Sequence, residues 1–203
     1  MAHDWSMTTI PYSLRVLVLA LLAVGLILYD RMRHPGRRDR IWEYGLLFAA
    51  GLVGAAFGAV NDSITVGISP EYFILGKGLA PGEGLKCRAV LLGAQAGFSG
   101  GIVACAVWLF ALGRVPAKER CHLICRFCWL PVATAAVAGC LTPFIAHDHI
   151  PAHLSELFSP LLFRHRLLCL ARVWWIHTGL YAGLFLGAVG GICLCVRRNA
   201  RTR

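Results

Sequence analysis

Long apolar stretches separated by short basic segments are the feature that most restricts how this chain can fold. Charged residues make up only 15% of the 203 residues, and most of them fall in the short segments. A soluble domain of similar size carries about a quarter charged residues. Since each apolar stretch is long enough to cross a hydrocarbon core of about 30 Å as a helix, the pattern predicts a chain solvated mainly by lipid.

The apolar stretches predict an all-α fold, a polytopic membrane helix bundle that forms a single domain over residues 1–203. About five transmembrane helices are expected, at residues 14–29, 41–60, 89–112, 123–146 and 168–196, before a basic tail at 197–203. A further helix after Pro151 is expected to lie at the membrane interface, because its apolar residues share one face. That face consists of Leu154, Leu157, Phe158, Leu161 and Leu162.

The basic residues predict how the chain is oriented. They concentrate in the connections after the first and third spans and in the tail, which fall on one side if there are five spans. The positive-inside rule makes that side cytoplasmic. We therefore expect a bacterial inner-membrane protein with its amino terminus outside and its carboxyl terminus in the cytoplasm. The first run has no preceding Lys or Arg within residues 1–13, so a retained helix is expected rather than a cleaved signal.

The net charge of +10 has this topological explanation, and no nucleic-acid partner is expected. The lipid bilayer is the expected partner. Glycines recur at every fourth position in three of the spans, a spacing that lets helix backbones approach closely in lipid. We expect them to pack within one bundle, although docking of other membrane subunits through these faces is the alternative. They are Gly54 and Gly58, then Gly93, Gly97 and Gly101, then Gly179, Gly183, Gly187 and Gly191.

Polar residues within or beside the spans are the candidates for chemistry, because ionisable groups at membrane depth are costly and usually functional. Asp62 and Glu71 would be oxygen ligands or acid/base groups, and His177 a nitrogen ligand or proton carrier. Asn61 and Asp62 are expected to cap the outer end of the second span. The alternative for His177 is a buried histidine hydrogen-bonded to Tyr181 or a neighbouring helix. Secondary candidates are Asn61, Gln95, His147, His149, His153, Glu156 and Tyr181.

Two motifs suggest metal ligation. His149, His153 and Glu156 have the spacing i, i+4 and i+7, which on a helix would place them on one face and could hold a divalent transition metal. A histidine-rich surface loop is the alternative. Cys121, Cys125 and Cys128 resemble the cluster-binding motif of radical S-adenosylmethionine enzymes. Since the chain has no room for the soluble barrel of those enzymes, inert packing cysteines are the ordinary expectation.

Three segments carry a family resemblance: Asn-Asp-Ser-Ile-Thr at 61–65, Ser-Pro-Glu-Tyr-Phe at 69–73 and Trp-Ile-His-Thr-Gly-Leu-Tyr at 175–181. They resemble a family of bacterial multi-span membrane proteins of unknown function with Asn-Asp-x-Ile-Thr, Glu-Tyr-Phe and late-helix His-x-x-x-Tyr motifs. Many relatives have Asn after the histidine, where this chain has Thr178. The resemblance implies no activity, but it points to Asp62, Glu71 and His177 as one site.

These observations predict an inner-membrane protein with a metal- or ligand-binding polar site in the outer half of its bundle. Two alternatives belong to other classes of protein. A structural subunit of a larger membrane complex would use its glycine faces to dock, and a small transporter or channel would line a path with the same polar groups. The histidine motif matches none of the named metalloenzyme signatures. Whether the chain is an enzyme is left open.

Overall fold

The computed structural model describes residues 39–113, 115–146 and 148–201, together with helical positions 21, 24, 25, 28, 29 and 32. The chain divides into two compact units, Met1–Trp42 and Glu43–Arg203. Apart from those separate helical positions, the predicted first span at residues 14–29 lies outside the described residues. The candidate site is built entirely within the second unit.

Every regular element in the described part of the chain is a helix. The predicted all-helical fold is confirmed. Four segments are long and apolar enough to cross a membrane, which fits a membrane protein. They are Ile41–Ile68, Leu85–Ala111, Lys118–Ile145 and Arg164–Arg198. The elements are α1 (Asp39–Ile68), a short π-helix (Tyr72–Gly76), α2 (Leu85–Ala111), α3 (Ala117–Phe127), α4 (Trp129–Ile145), α5 (Ala152–Phe158) and α6 (Arg164–Arg201).

Helix α1 continues about two turns beyond the predicted end of the second span at residue 60. Asn61 and Asp62 therefore lie inside the helix, and the expectation that they cap its end is wrong. Polar residues can lie inside a helix when their polar groups have hydrogen-bond partners. Thr65 Oγ1 donates to the carbonyl oxygen of Asn61 at 3.0 Å, and the Asp62 carboxylate contacts His177 of α6.

Glycine faces bring the helices together, as predicted. A Cβ atom added at Gly54 or Gly58 would collide with the carbonyl oxygen of Gly97 or Gly93, so α1 and α2 touch through their backbones. On α6, Gly179, Gly183 and Gly187 meet the backbone of α4 in the same way. Two threonines of α4 also donate to α6 carbonyl oxygens, Thr134 to Gly183 at 2.7 Å and Thr142 to Trp175 at 2.8 Å.

The connection after α1 folds back against the bundle through the π-helix. Phe73 is fully buried, and Tyr72 and Phe73 pack in one apolar cluster with Leu154 of α5 and Val173 of α6. This cluster fixes the π-helix and α5 over one end of α6. It also holds the Tyr72 side chain in a defined place beside the polar residues of the bundle.

The apolar face predicted after Pro151 is only partly formed. Helix α5 ends at Phe158, so the positions beyond it cannot continue the helical face. Leu154 is buried, and Phe158 and Leu162 pack against the same cluster. Leu157 and Leu161 are instead exposed, because a helix of seven residues presents only about two turns to its neighbours.

Candidate functional site

Asp62 and His177 form a buried pair that joins α1 to α6. His177 Nε2 lies 3.1 Å from Asp62 Oδ1, and the two residues are only 7% and 6% exposed. Helix α6 fixes the other side of the imidazole ring, because Nδ1 lies 2.9 Å from the carbonyl oxygen of Val173, one turn earlier. Both residues are candidates from the sequence, and the fold places them in contact.

Hydrogen-bond chemistry fixes one nitrogen of the imidazole. A backbone carbonyl oxygen only accepts, so His177 Nδ1 carries a hydrogen. The other nitrogen, Nε2, lies within reach of the carboxylate oxygen of Asp62 and of the amide nitrogen of Asn61. Ionisable groups are costly to bury in a lipid-solvated bundle unless they have such partners.

Asn61 completes the polar cluster. Its Nδ2 donates to Asp62 Oδ1 at 2.9 Å and lies 3.3 Å from His177 Nε2. The side-chain amide therefore contacts both members of the pair. We call Asn61, Asp62 and His177 the polar triad, and the end of the bundle that holds them the polar end.

Aromatic rings cover the imidazole. The Tyr72 ring is stacked on His177 with centroids 4.8 Å apart and planes inclined by 22°, and Phe73 meets the same ring edge-on at 6.4 Å. Lys77 Nζ lies 5.4 Å from the centroid of the Tyr72 ring. Burial, reinforced by nearby Tyr181 and Asp62, raises the pKa of Tyr72 well above its ordinary value. The phenol therefore remains neutral and available as a hydrogen-bond donor.

Gly93 provides the space for the Asp62 carboxylate. A Cβ atom added at Gly93 would lie 2.7 Å from Asp62 Cγ and from Oδ2, and it would also collide with the carbonyl oxygen of Gly58. Real Cβ atoms do not approach other heavy atoms this closely. The glycine repeat of α2 thus has two roles, since it packs the helices and leaves room for a buried acid.

The polar triad faces a long cavity of about 420 Å³ between α1, α2, α4 and α6. Lys77 and Tyr181 line the cavity at the polar end. Its walls are mainly apolar and are formed to a large extent by glycine and alanine. The opposite end is lined by Leu46, Trp108, Ile124, Cys125 and Cys128, and we call it the cysteine end. A volume of this size falls within the range of small-molecule sites.

Glu71 does not join the polar triad. Its carboxylate contacts Arg166 Nη1 at 2.8 Å and accepts a hydrogen bond from Ser69 Oγ at 3.1 Å. It does not line the cavity. From the Glu-Tyr-Phe motif it is Tyr72, not Glu71, that contacts His177. Sequence reasoning did not select Tyr72 or Lys77 as site residues, although Tyr72 stood inside a motif already singled out.

The secondary candidates separate into two groups. Asn61 and Tyr181 line the cavity, whereas Gln95 is a half-buried residue of α2 outside its lining. The rings of His149 and His153 contact Trp175 and Trp174 respectively. Since α5 begins at Ala152, His149 precedes the helix and does not share a helical face with His153 and Glu156. His147 lies outside the described residues.

No group of three or more His, Cys, Asp or Glu side chains that could hold a metal ion occurs in the described ranges. Cys125 and Cys128 line the cysteine end of the cavity together, and the Cys128 thiol donates to the carbonyl oxygen of Cys125 at 3.2 Å. Cys195 of α6 approaches this region, with its Sγ 3.9 Å from the carbonyl oxygen of Leu123. The Cys-x3-Cys-x2-Cys spacing therefore does not assemble a three-thiol site here.

No family model matches the chain, and no curated protein or solved structure gives a significant match.

Proposed function

We propose that this chain is a ligand-binding membrane protein whose ligand occupies the cavity with its polar group at the Asn61–Asp62–His177 triad. The observation that carries the proposal is the position of the buried Asp62–His177 pair, which lines the cavity. Intramembrane ionisable residues usually face a cavity or a partner that they serve. Asp62 and His177 have both a partner and a cavity, since they contact each other and both line the cavity.

Stability alone does not explain the pair. Apolar residues of similar volume often stabilise a protein as well as a buried ion pair does, or better. The bundle already has strong packing elements in its glycine faces and in the hydrogen bonds that α4 threonines donate to α6. A buried acid and histidine beside a cavity are therefore better explained by what they bind than by what they hold together.

The remaining functions fit the cavity less well. An ion path needs charged or polar groups along its length, whereas the polar groups of this cavity concentrate at one end. A bound metal needs further ligands, and Glu71, the third residue expected at the site, is held by Arg166. Docking of other subunits would use the glycine faces, but the repeats on α1, α2 and α6 pack within the chain.

Protein extracted in polymer-bounded native bilayer discs is expected to carry a bound molecule in stoichiometric amount. Filling the cavity by Ala104→Phe will remove it, because Ala104 lines the cavity on α2. The matched control is Ala106→Phe, on the same helix at an exposed position outside the lining. Native mass spectrometry of the wild type and both variants measures the bound mass directly.

The proposal fails if the wild type carries nothing beyond bulk lipid. It also fails if a bound molecule is retained equally by both alanine variants, since the ligand would then lie elsewhere. Loss from Ala104→Phe alone, with both variants equally stable to heat, supports binding in the cavity.

We infer that the polar end faces the exterior of a bacterial inner membrane. The support is the charge pattern, since Arg197 and Arg198 of α6 and Lys118 and Arg120 of α3 lie towards the opposite end of the bundle. Green fluorescent protein fused after Arg203 is expected to fluoresce. Alkaline phosphatase inserted after Gly82, in the connection between the π-helix and α2, is expected to be active. Fluorescence lost at the tail and phosphatase inactive at Gly82 would reverse the orientation.

A further inference from the structure

We propose that the ligand of this cavity presents a hydrogen-bond donor, a hydroxyl or an amine, to Oδ2 of Asp62. The inference rests on the proposed function and adds the chemical class of the ligand's polar group. Its basis is the hydrogen-bonding capacity that the polar triad leaves unused.

The donors of the polar triad are directed at its own members and at the backbone. Asn61 Nδ2 donates to Asp62 Oδ1 at 2.9 Å and lies 3.3 Å from His177 Nε2. His177 Nδ1 donates to the carbonyl oxygen of Val173 at 2.9 Å. The Asn61 amide therefore turns its nitrogen, and not its oxygen, towards the carboxylate. Little donor capacity is left in the triad for a ligand.

Two acceptor oxygens of the triad have no partner. Among the described residues, no group donates to Asp62 Oδ2 or to Asn61 Oδ1. Both oxygens keep some accessible surface, since neither belongs to the fully buried atoms that lack a hydrogen bond. Asp62 and Asn61 both line the cavity, so a ligand there is placed to supply the missing donor. An acceptor left unpaired in a largely buried side chain is costly, which favours such a ligand.

The surroundings of Asp62 Oδ2 leave room for that donor. A Cβ atom added at Gly93 would lie 2.7 Å from Oδ2, and Gly93 itself lines the cavity. The carboxylate therefore lies against a residue that has no side chain. Lys77 and Tyr181 line the same end of the cavity, but neither donates to Asp62 in the described part of the chain.

Asp62 Oδ2 is an acceptor wherever the proton of the Asp62–His177 contact resides. With the proton on His177 Nε2, the carboxylate is ionised and both of its oxygens accept. With the proton on Oδ1, which lies 3.1 Å from Nε2, Oδ2 is the carbonyl oxygen of a neutral acid and again accepts. A ligand whose polar group only accepts, such as an ether, would leave Oδ2 unpaired. The site therefore favours O–H and N–H groups.

Binding is measured for protein in bilayer discs of phosphatidylcholine, with radiolabelled dodecanol, dodecylamine and dodecyl methyl ether as probes. Discs without protein correct for partition of each probe into lipid. The alkyl chains suit the apolar walls of the cavity, and the ether has the chain and the oxygen of dodecanol without the donor. Dodecanol is expected to bind about tenfold more tightly than the ether, the effect of one hydrogen bond to an acid. The stronger binder of dodecanol and dodecylamine identifies the donor.

Variants of Asp62 test whether Oδ2 is the acceptor. In Asp62→Asn the amide oxygen keeps its contact with Asn61 Nδ2, so the amide nitrogen replaces Oδ2 and donates instead. Asp62→Leu combined with His177→Leu removes the oxygen outright. Both variants are expected to bind dodecanol and the ether alike, since each probe can accept but neither finds an acceptor. Glu71→Gln is the matched control, an acid outside the cavity lining, and is expected to keep the tenfold preference.

Equal binding of dodecanol and the ether by the wild type would overturn the inference, and this comparison needs no variant to fold. A preference that survives in both Asp62 variants would overturn it as well, because the donor would then be recognised elsewhere. So would failure of all three probes to bind, or a copurified molecule without any O–H or N–H group. In each case the proposed function still stands if the wild type carries a molecule that Ala104→Phe removes. A preference lost in the Asp62 variants and kept in Glu71→Gln supports the inference.

Discussion

Replacing Gly97 by alanine is expected to destabilise the bundle by about 3 kcal/mol. A Cβ atom at this position would collide with the carbonyl oxygen of Gly54 and lie within 3.3 Å of the backbone nitrogen of Ala55. Both atoms belong to backbone, which cannot rotate away as a side chain can. Helices α1 and α2 must therefore separate along their whole contact, which includes Gly58 and Gly93.

Gly100 provides the matched control on the same helix. A Cβ atom there would meet no atom within 4 Å. Gly100→Ala is therefore expected to be neutral or to stabilise the protein by up to about 1 kcal/mol, because alanine favours a helix over glycine. Unfolding of both variants in mixed micelles of increasing denaturing detergent measures the difference. Equal stability of the two variants would show that α1 and α2 are not in backbone contact.

The helices can largely be predicted from the sequence, because a membrane-spanning helix needs a long apolar run and the glycine spacing indicates which helix faces are in contact. The ends of the helices are harder to predict. Asn61 and Asp62 look like the polar end of a span, yet α1 continues to Ile68. The pairing that allows this involves His177, more than a hundred residues later. No local pattern within the second span contains that information.

The candidate site was predictable only in part, for a similar reason. Asp62 and His177 stood out because ionisable residues at membrane depth need partners. Glu71 stood out equally, but its nearest cation is Arg166, at the start of α6. Which of the three acids and bases pair depends on how the connection after α1 folds. That connection forms a π-helix that turns Tyr72 onto the imidazole ring, a geometry that residue spacing does not reveal.

The second large effect is expected at the Asp62–His177 pair itself. Asp62→Ala and His177→Ala will each destabilise the protein by about 3 kcal/mol, because each leaves a buried polar partner unpaired. The double alanine variant will cost less than the two single changes combined, with a coupling free energy of about 2 kcal/mol. A double-mutant cycle of unfolding free energies in mixed micelles measures this coupling. Strictly additive losses would mean that the two side chains do not interact.

A double replacement by leucine separates stability from function. Leucine has nearly the shape of aspartate, and apolar pairs often replace buried ion pairs at no cost in stability. Asp62→Leu combined with His177→Leu is therefore expected to fold with a stability within about 1 kcal/mol of the wild type. It is also expected to lose the bound molecule, since the polar group of the ligand would lose its contacts with Asp62 and His177, two of the three residues of the polar triad.

The leucine pair distinguishes two explanations of the same buried contact. If the acid and the histidine serve only to join α1 to α6, the leucine protein should keep the bound molecule. If they serve the ligand, the leucine protein should be as stable as the wild type and empty. The second outcome is expected, because Gly54 and Gly58 already hold α1 against α2, and Gly183 holds α6 against α4. A stable leucine variant that still carries its molecule would remove the polar triad from the binding site.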